Sequence, residues 1–390
     1  MATDRVVVVG ASLAGLRAAE AVRKTGYAGE VVVVGDEPHM PYNRPPLSKT
    51  ALGAEPEDLA FRIPRHARDV TWRLGEAVTS ADLTARTVTC AGGDVLGWSG
   101  LVIASGLRPR RLPLPGPDRC VVRTREDAAR VRSGLRPGAR LVVVGAGFIG
   151  CEVAAAARAL GAEVDVVAPE RVPVQRPLGP LLGAALQRRH EAHGVRFHLG
   201  TVPVGYRAAS VVLGEGTELP ADLVVEAVGG TPATEWLAGT GLDVTDGVLC
   251  DNALRAGGRP DVVACGDLAR FPNPLFDAVP RRVEHWTMAT DTGKRAGTTL
   301  GRHLTGSGAD EPPFTPLPSF WSDQYGFRLQ SYGAPGLGDD SRVLEGDPDG
   351  EVAVGYHRAG RLTGVVLLGL GGRYAHYRSL VAEAGHLALR

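Results

Sequence analysis

Lysine is almost missing from this chain of 390 residues: of 43 basic residues only Lys24, Lys49 and Lys294 are lysines, and the rest are arginines. Cysteine is sparse too, with five residues at positions 90, 120, 151, 250 and 265. The number is odd and no two form a CxxC pair, which leaves a disulfide framework, a zinc site and a redox dithiol without support. No apolar run reaches the ~20 residues of a membrane helix. The opening "MATDRVVVVG" enters a strand at once, without a signal-peptide core, and a cytoplasmic location is expected. Excess charge of either sign is missing as well. Acidic residues also number 43, which argues against nucleic acid or an anionic membrane as partner, since both reward a net basic surface.

What remains is ordinary globular stock, 44% hydrophobic and 22% charged, long enough for two or three domains. It contains a repeat. "RVVVVGASLAG" (5–15) and "RLVVVGAGFIG" (140–150) are each a β-branched run, a Gly-rich turn and the start of an Ala-rich helix. A second valine run follows each: "EVVVVGDE" (30–37) and "EVDVVAPE" (163–170). Two such strand–turn–helix–strand units predict an α/β protein with two Rossmann-like dinucleotide-binding domains. The Pro-rich "VIASGLRPRRLPLPG" (102–116) reads as a crossover, and a return crossing is expected near 240–250, ahead of the short buried strand in "RPDVVACGDLAR" (259–270). One domain is thus inserted in the other: 1–112 and 243–313 form the first, and 113–242 the second. After "GADEPPFTPLP" (308–318), strand-like pieces and a short helix predict a small α+β domain over 314–390.

Glycine in these turns lets backbone N–H groups at a helix N-terminus approach a pyrophosphate. The second turn carries Gly145, Gly147 and Gly150, with Ile149 between; in the first, Gly10, Ala14 and Gly15 hold and Ser12 replaces the middle glycine. An acid about 20 residues on reads ribose hydroxyls. Asp36, with Glu37 beside it, fits the first unit. In the second, Ala168 stands in that place with Glu170 and Arg171 just beyond, which leaves NADH and NADPH both open. "PYNRPPLSK" (41–49) sets three prolines, Arg44 and Lys49 in one stiff segment. Proline pushes the residue before it toward extended backbone, and Arg44 is expected to grip phosphate or ribose oxygens bidentately.

The arm, the two turns, "ACGDLA" (264–269), "VEHWTMA" (283–289) and "FWSDQY" (320–325) together resemble the NADH-dependent ferredoxin reductases, flavoprotein partners of [2Fe–2S] ferredoxins in bacterial oxygenase systems. The resemblance spans nearly the whole chain. It implies FAD on the first unit, NAD(P)H on the second and the third domain over the flavin. It places Lys49 beside the flavin N5 edge, paired with Glu152, which by itself is only an acid in a first helical turn. It gives Asp267 the ribitol, turns the helix start at Glu284, His285 and Trp286 toward the flavin pyrimidine edge, and lends Val78 to the adenine side. It brings Arg123 to the FAD from the crossover. Trp321, with Asp323 and Gln324, is either core packing or a flavin-facing aromatic near the ferredoxin. A disulfide reductase needs a cysteine near the flavin, and 37–53 has none. The other readings are an NAD(P)H oxidase or quinone reductase, and a non-catalytic flavoprotein like apoptosis-inducing factor.

Overall fold

The valine runs of each repeat become neighbouring parallel strands. Arg5–Val9 pairs with Glu30–Gly35, Val6 opposite Val31 through Val9 opposite Val34, and Arg140–Val144 pairs with Glu163–Ala168 in the same way. Both pairs are buried on the two faces, the environment that continuous β-branched runs require in a sheet covered on each side. The computed structural model describes residues 4–56, 59–307 and 312–387. The outermost residues of the first and last expected segments, and 308–311 of the expected linker, lie outside the described residues.

The first sheet has the order Val262–Ala264, Gly100–Ile103, Arg5–Val9, Glu30–Gly35, Thr71–Leu74, all parallel. Its strands come from both sides of the second sheet, ordered Val195–Leu199, Glu163–Ala168, Arg140–Val144, Leu223–Glu226. Each unit adds a three-stranded antiparallel meander. The two crossings pair with each other, Leu107–Pro109 running antiparallel to Gly230–Pro232. The return therefore comes earlier than the 240–250 expected. Trp236 and Leu237 already belong to the first unit's core, and the Trp236 indole N–H donates to Ser105 Oγ.

The third body is a five-stranded antiparallel sheet, in the order Ser319–Gln324, Phe327–Gly333, Arg361–Leu368, Val352–Arg358, Asp340–Gly346, backed by the helix Tyr374–His386. The expected fold class is borne out. No helix among the described residues is long and apolar enough to cross a membrane.

The first unit's ligand-facing end is positioned by two helices, Leu13–Lys24 and Trp286–Thr305. Their close approach depends on Gly293, Gly297 and Gly301, one stripe at i, i+4, i+8. A Cβ at Gly297 would stand 2.2 Å from the Ala18 carbonyl oxygen, and one at Gly293 would stand 2.6 Å from that of Ala14. Gly297→Val must push the helices apart. Overpacking of this kind costs about 1–3 kcal/mol, so a melting temperature lower by several degrees is expected in a thermal scan; an unchanged value would mean the helices are not held at this spacing.

Candidate functional site

The carboxyl ends of the first sheet's strands open into one cleft. Val9 runs into Ser12, Ile103 into Ala104, and Ala264 into Gly266 and Asp267; these turn residues line a cavity of about 870 Å³ at the junction of the three bodies. That is where open parallel sheets bind ligands. Gly10 has φ +121°, and a Cβ there would meet the Ala104 carbonyl at 2.1 Å; Gly145 has φ +107° and the same restriction against Ala227. Gly147 caps the helix Phe148–Ala159 and would meet nothing within 4 Å, so open space lies over that helix start. Gly15 and Gly150 let each helix pass its own turn, where a Cβ would strike the Gly10 or Gly145 carbonyl. Neither helix carries an acid in its first turn, which leaves both positive helix ends clear for a phosphate.

Ser12, the N-cap of the first helix, accepts a hydrogen bond from Arg44 Nε rather than capping its helix. Arg44 differs from its expected role. Its N–H groups go to Ser12 Oγ (3.1 Å), Tyr42 Oη (3.1 Å), the Arg123 carbonyl (2.9 Å) and the Glu37 carboxylate. Four of the five guanidinium N–H groups are thus committed to protein acceptors, so no bidentate fork is left for a ligand. Those bonds also hold Arg44 helical, at φ −79° and ψ −32°, against the extended preference of a residue before proline. The arm itself folds as two short 3₁₀ turns, Pro45–Ser48 and Thr50–Leu52, because proline suits the first turn of a helix. Asp36 is exposed, and it is Glu37 that faces the arm.

Beyond the arm, Lys49 Nζ lies 2.8 Å from Glu152 Oε2 and 3.1 Å from the Pro45 carbonyl. Ser48 Oγ donates to the same carboxylate at 2.5 Å, and Ser322 Oγ donates to its other oxygen at 2.6 Å. Glu152 is only 5% exposed. It accepts from the first body through Ser48 and Lys49, and from the third through Ser322.

Across the cleft Asp267 faces Arg123 at 3.8 Å, and burial pushes its carboxyl up from the ordinary range. His285, the N-cap of the helix Trp286–Thr305, has a buried Nδ1 without a hydrogen-bond partner, and burial pushes it down to about 4, leaving the ring neutral. Glu284 is exposed and paired with Arg282 at 2.5 Å. Trp286 stacks on Phe61, and Val78 packs against the first core, away from the cavity. In "FWSDQY" the strand period separates the side chains. Phe320, Ser322 and Gln324 share one face; Trp321 lines the cavity, and Asp323 is held by Arg328 at 2.7 Å. Glu170 is paired with the exposed Arg176 at 3.2 Å; Ile149, half exposed, lines the cavity. Sequence reasoning missed Ser48, Ser322, Phe148 and Phe320. The period-2 alternation of "FWSDQY" is the one signal that separates Ser322 from Trp321.

An open cleft of this size, two positive helix ends, the unpaired Nδ1 of His285 and the buried Asp267 carboxylate, held only by a long contact to Arg123, fit a dinucleotide that brings phosphates to the turns and donors to the carboxylate. Two such turns at one cleft define an oxidoreductase that handles two nucleotides. A family model described as pyridine nucleotide-disulphide oxidoreductase matches residues 4–293, and one described as reductase C-terminal matches 319–389. The chain belongs to the pyridine nucleotide-disulphide oxidoreductase family, and FAD with NAD(H) are its cofactors. It is similar to the anthranilate 1,2-dioxygenase system ferredoxin–NAD(+) reductase component of Burkholderia cepacia, 36% identical over 98% of this chain and 95% of that one. It is also similar to rhodocoxin reductase of Rhodococcus erythropolis, 36% identical over 89% of this chain and 82% of that one. The solved covalent putidaredoxin reductase–putidaredoxin complex superposes with a TM-score of 0.90 at 30% identity, covering 98% of this chain and 94% of that one.

Removing one partner of a buried pair leaves the other charge stranded, typically at about 3–5 kcal/mol. Glu152→Ala is expected to lose most of that in urea unfolding and to slow flavin bleaching by NADH in stopped flow, with FAD still bound. Bleaching at the wild-type rate would rule out a part for the pair in reduction.

Proposed function

We propose that the protein is a ferredoxin reductase that passes electrons from NADH through FAD to a [2Fe–2S] ferredoxin serving an oxygenase. The single observation that carries this reading is the buried Lys49–Glu152 pair between two dinucleotide-type turns, in a cleft with no cysteine among its described lining residues. The bound flavin supplies the conversion of a hydride's two electrons into single ones. The chain's own residues bind, orient and set charge. The turns at Gly10–Gly15 and Gly145–Gly150 present N–H groups to the two pyrophosphates. Asp267 and Arg123, 3.8 Å apart on one wall of the cavity, would meet the FAD together, with Arg44 bracing Ser12 and Glu37 beside them. The Lys49 ammonium would supply a positive charge to a flavin in this cavity, and Glu152 keeps that charge in place. Trp321 faces the same cavity, which supports its reading as a flavin-side aromatic. The coenzyme-binding unit lies between the crossing strands Leu107–Pro109 and Gly230–Pro232; the FAD unit takes the residues on either side up to the third body. A cytoplasmic location accords with five free, buried thiols.

The buried thiols also exclude a dithiol route. Cys151 and Cys265 are both pushed up to about 12 by burial, far from a reactive thiolate. Replacing all five cysteines by alanine, which adds no buried hydroxyl, should leave ferredoxin reduction largely intact. Raising ionic strength should slow it, because an acidic ferredoxin docks by charge. Steady-state turnover with ferredoxin and with oxygen tests both points; faster transfer to oxygen, or lost turnover in a folded, yellow cysteine-free protein, refutes the acceptor.

Coenzyme choice follows from Glu170. Its carboxylate opposes a 2′-phosphate, yet Arg176 pairs with it and Arg171 is exposed beside it. NADH should be preferred in kcat/KM, and Glu170→Ala should shift the ratio toward NADPH by about tenfold, which needs only ~1.4 kcal/mol. A wild-type preference for NADPH would show that the arginines dominate.

A further inference from the structure

Behind Glu152 a line of buried polar side chains crosses from the second body into the third. Ser322 Oγ lies 2.6 Å from Glu152 Oε1, Gln324 Nε2 lies 3.0 Å from Ser322 Oγ, His190 Nε2 lies 2.7 Å from Gln324 Oε1, and Tyr325 Oη lies 3.0 Å from His190 Nδ1. Ser322 and His190 are fully buried, and Gln324 is 3% exposed. We propose that Ser322, Gln324 and His190 are positioning residues for the Lys49–Glu152 pair: a chain of hydrogen bonds, every one donated toward Glu152, that holds its carboxyl ionised opposite the ammonium. The proposal rests on the reading of that pair as the charge beside the flavin.

The direction of each bond follows from the first. An ionised carboxylate only accepts, so the single hydroxyl hydrogen of Ser322 goes to Glu152. Ser322 Oγ must then accept, which turns the Gln324 amide N–H toward it and the Gln324 oxygen toward His190. That oxygen requires a hydrogen on His190 Nε2, leaving Nδ1 to accept from the Tyr325 hydroxyl. One orientation satisfies every member, and it is the one in which His190 is neutral. Burial does keep His190 neutral, pushing it down to about 4. Hydrogen bonds aligned in one direction polarise one another, so the far members strengthen the donor that reaches Glu152.

The far end is built with care. Tyr325 and Gly326 form the turn between Ser319–Gln324 and Phe327–Gly333, with φ +46° and +80°. Positive φ at both central residues is the type I′ pattern that favours Asn or Gly. The bulky tyrosine is held there by its bond to His190 and by stacking on His193, centroids 3.8 Å apart. The groups facing Glu152 are Lys49 from the arm and Cys151 on its own helix. Facing His190, on the helix Gln175–Ala192, are Gln324 and Tyr325 from the hairpin, His193 at that helix's C-cap and the Phe197 ring from the strand Val195–Leu199.

The test compares the holoenzyme with Ser322→Ala, which deletes the donor, and Gln324→Met, which keeps the shape but cannot orient Ser322. Two readouts are taken against pH: the rate of flavin bleaching by NADH, and the infrared band of a protonated carboxyl. In Ser322→Ala the acid limb of the bleaching profile should move up by about one to two pH units, the worth of one hydrogen bond to a charged group, and in Gln324→Met by less. A protonated-carboxyl band should appear at a pH where the wild type has none, and vanish when Glu152→Gln is added. The proposal is overturned if limb and band stay put in both folded variants, including the case in which only the melting temperature falls, since that is a structural role alone. A preparation without flavin would sink the functional reading; the infrared band would still decide this one.

Discussion

An ammonium and a carboxylate taken out of water together lose several kcal/mol of hydration each, and their attraction compensates only when the remaining lone pairs and protons find partners. Lys49 and Glu152 meet that condition because three separate bodies supply the partners. The first body gives the arm, with Lys49, the Pro45 carbonyl and the Ser48 hydroxyl. The second gives Glu152 from the first turns of its helix, and the third gives Ser322. Remove the third body and the pair loses a donor; remove either of the others and one charge loses its partner. The charge at the site and the assembly of the chain are therefore the same problem.

The near-absence of lysine has a physical sense in this setting. Arginine offers a planar fork of N–H groups, and the chain uses it as a clamp, as Arg44 does on Glu37, Ser12, Tyr42 and the Arg123 carbonyl. A fork spread over four acceptors cannot also act as a compact charge. Lysine is a point charge on a flexible stem, and the one at position 49 places a compact positive group at the cavity wall. The repeat makes the same contrast. Two residues beyond the last turn glycine, the first unit has Arg17, which pairs with Glu20 and lies over the Phe61 ring; the second has Glu152. Equivalent backbone positions thus carry opposite charges.

The fold was legible because it rests on short-range signals. Valine runs, Gly-rich turns and their recurrence determine two parallel sheets, and alternation in 319–368 determines the third. What needed the structure was the outcome of competition between side chains. Proline before position 49 argued for an extended arm, but two 3₁₀ turns satisfy the same φ, and four bonds keep Arg44 helical. Asp36 and Glu37 are equivalent by spacing; only the position of Tyr42 and Arg44 selects Glu37. Trp321 drew the eye by its size, while Ser322, next to it on the opposite face, reaches the buried carboxylate. Alternation puts Ser322 on the face opposite Trp321, but only the placed carboxylate shows what its hydroxyl reaches.

Packing and charge also meet at one point. Phe320 lies with its ring centroid 4.8 Å from that of Phe148, at the start of the second body's helix, and 4.8 Å from that of His285, at the start of the first body's helix. The three rings come one from each body, two strand residues away from Ser322 on the same face. These rings make the wall beside the buried Glu152 largely apolar, and a lower local dielectric strengthens every charge–charge and charge–dipole contact there. The junction also links the starts of Phe148–Ala159 and Trp286–Thr305, each of which has a ring against Phe320. The third body is thus more than a cover over the cleft. Through Phe320 it touches the starts of both Phe148–Ala159 and Trp286–Thr305, and through Ser322 it completes the donor set of the Glu152 carboxylate; a motion that lifts it would loosen both at once.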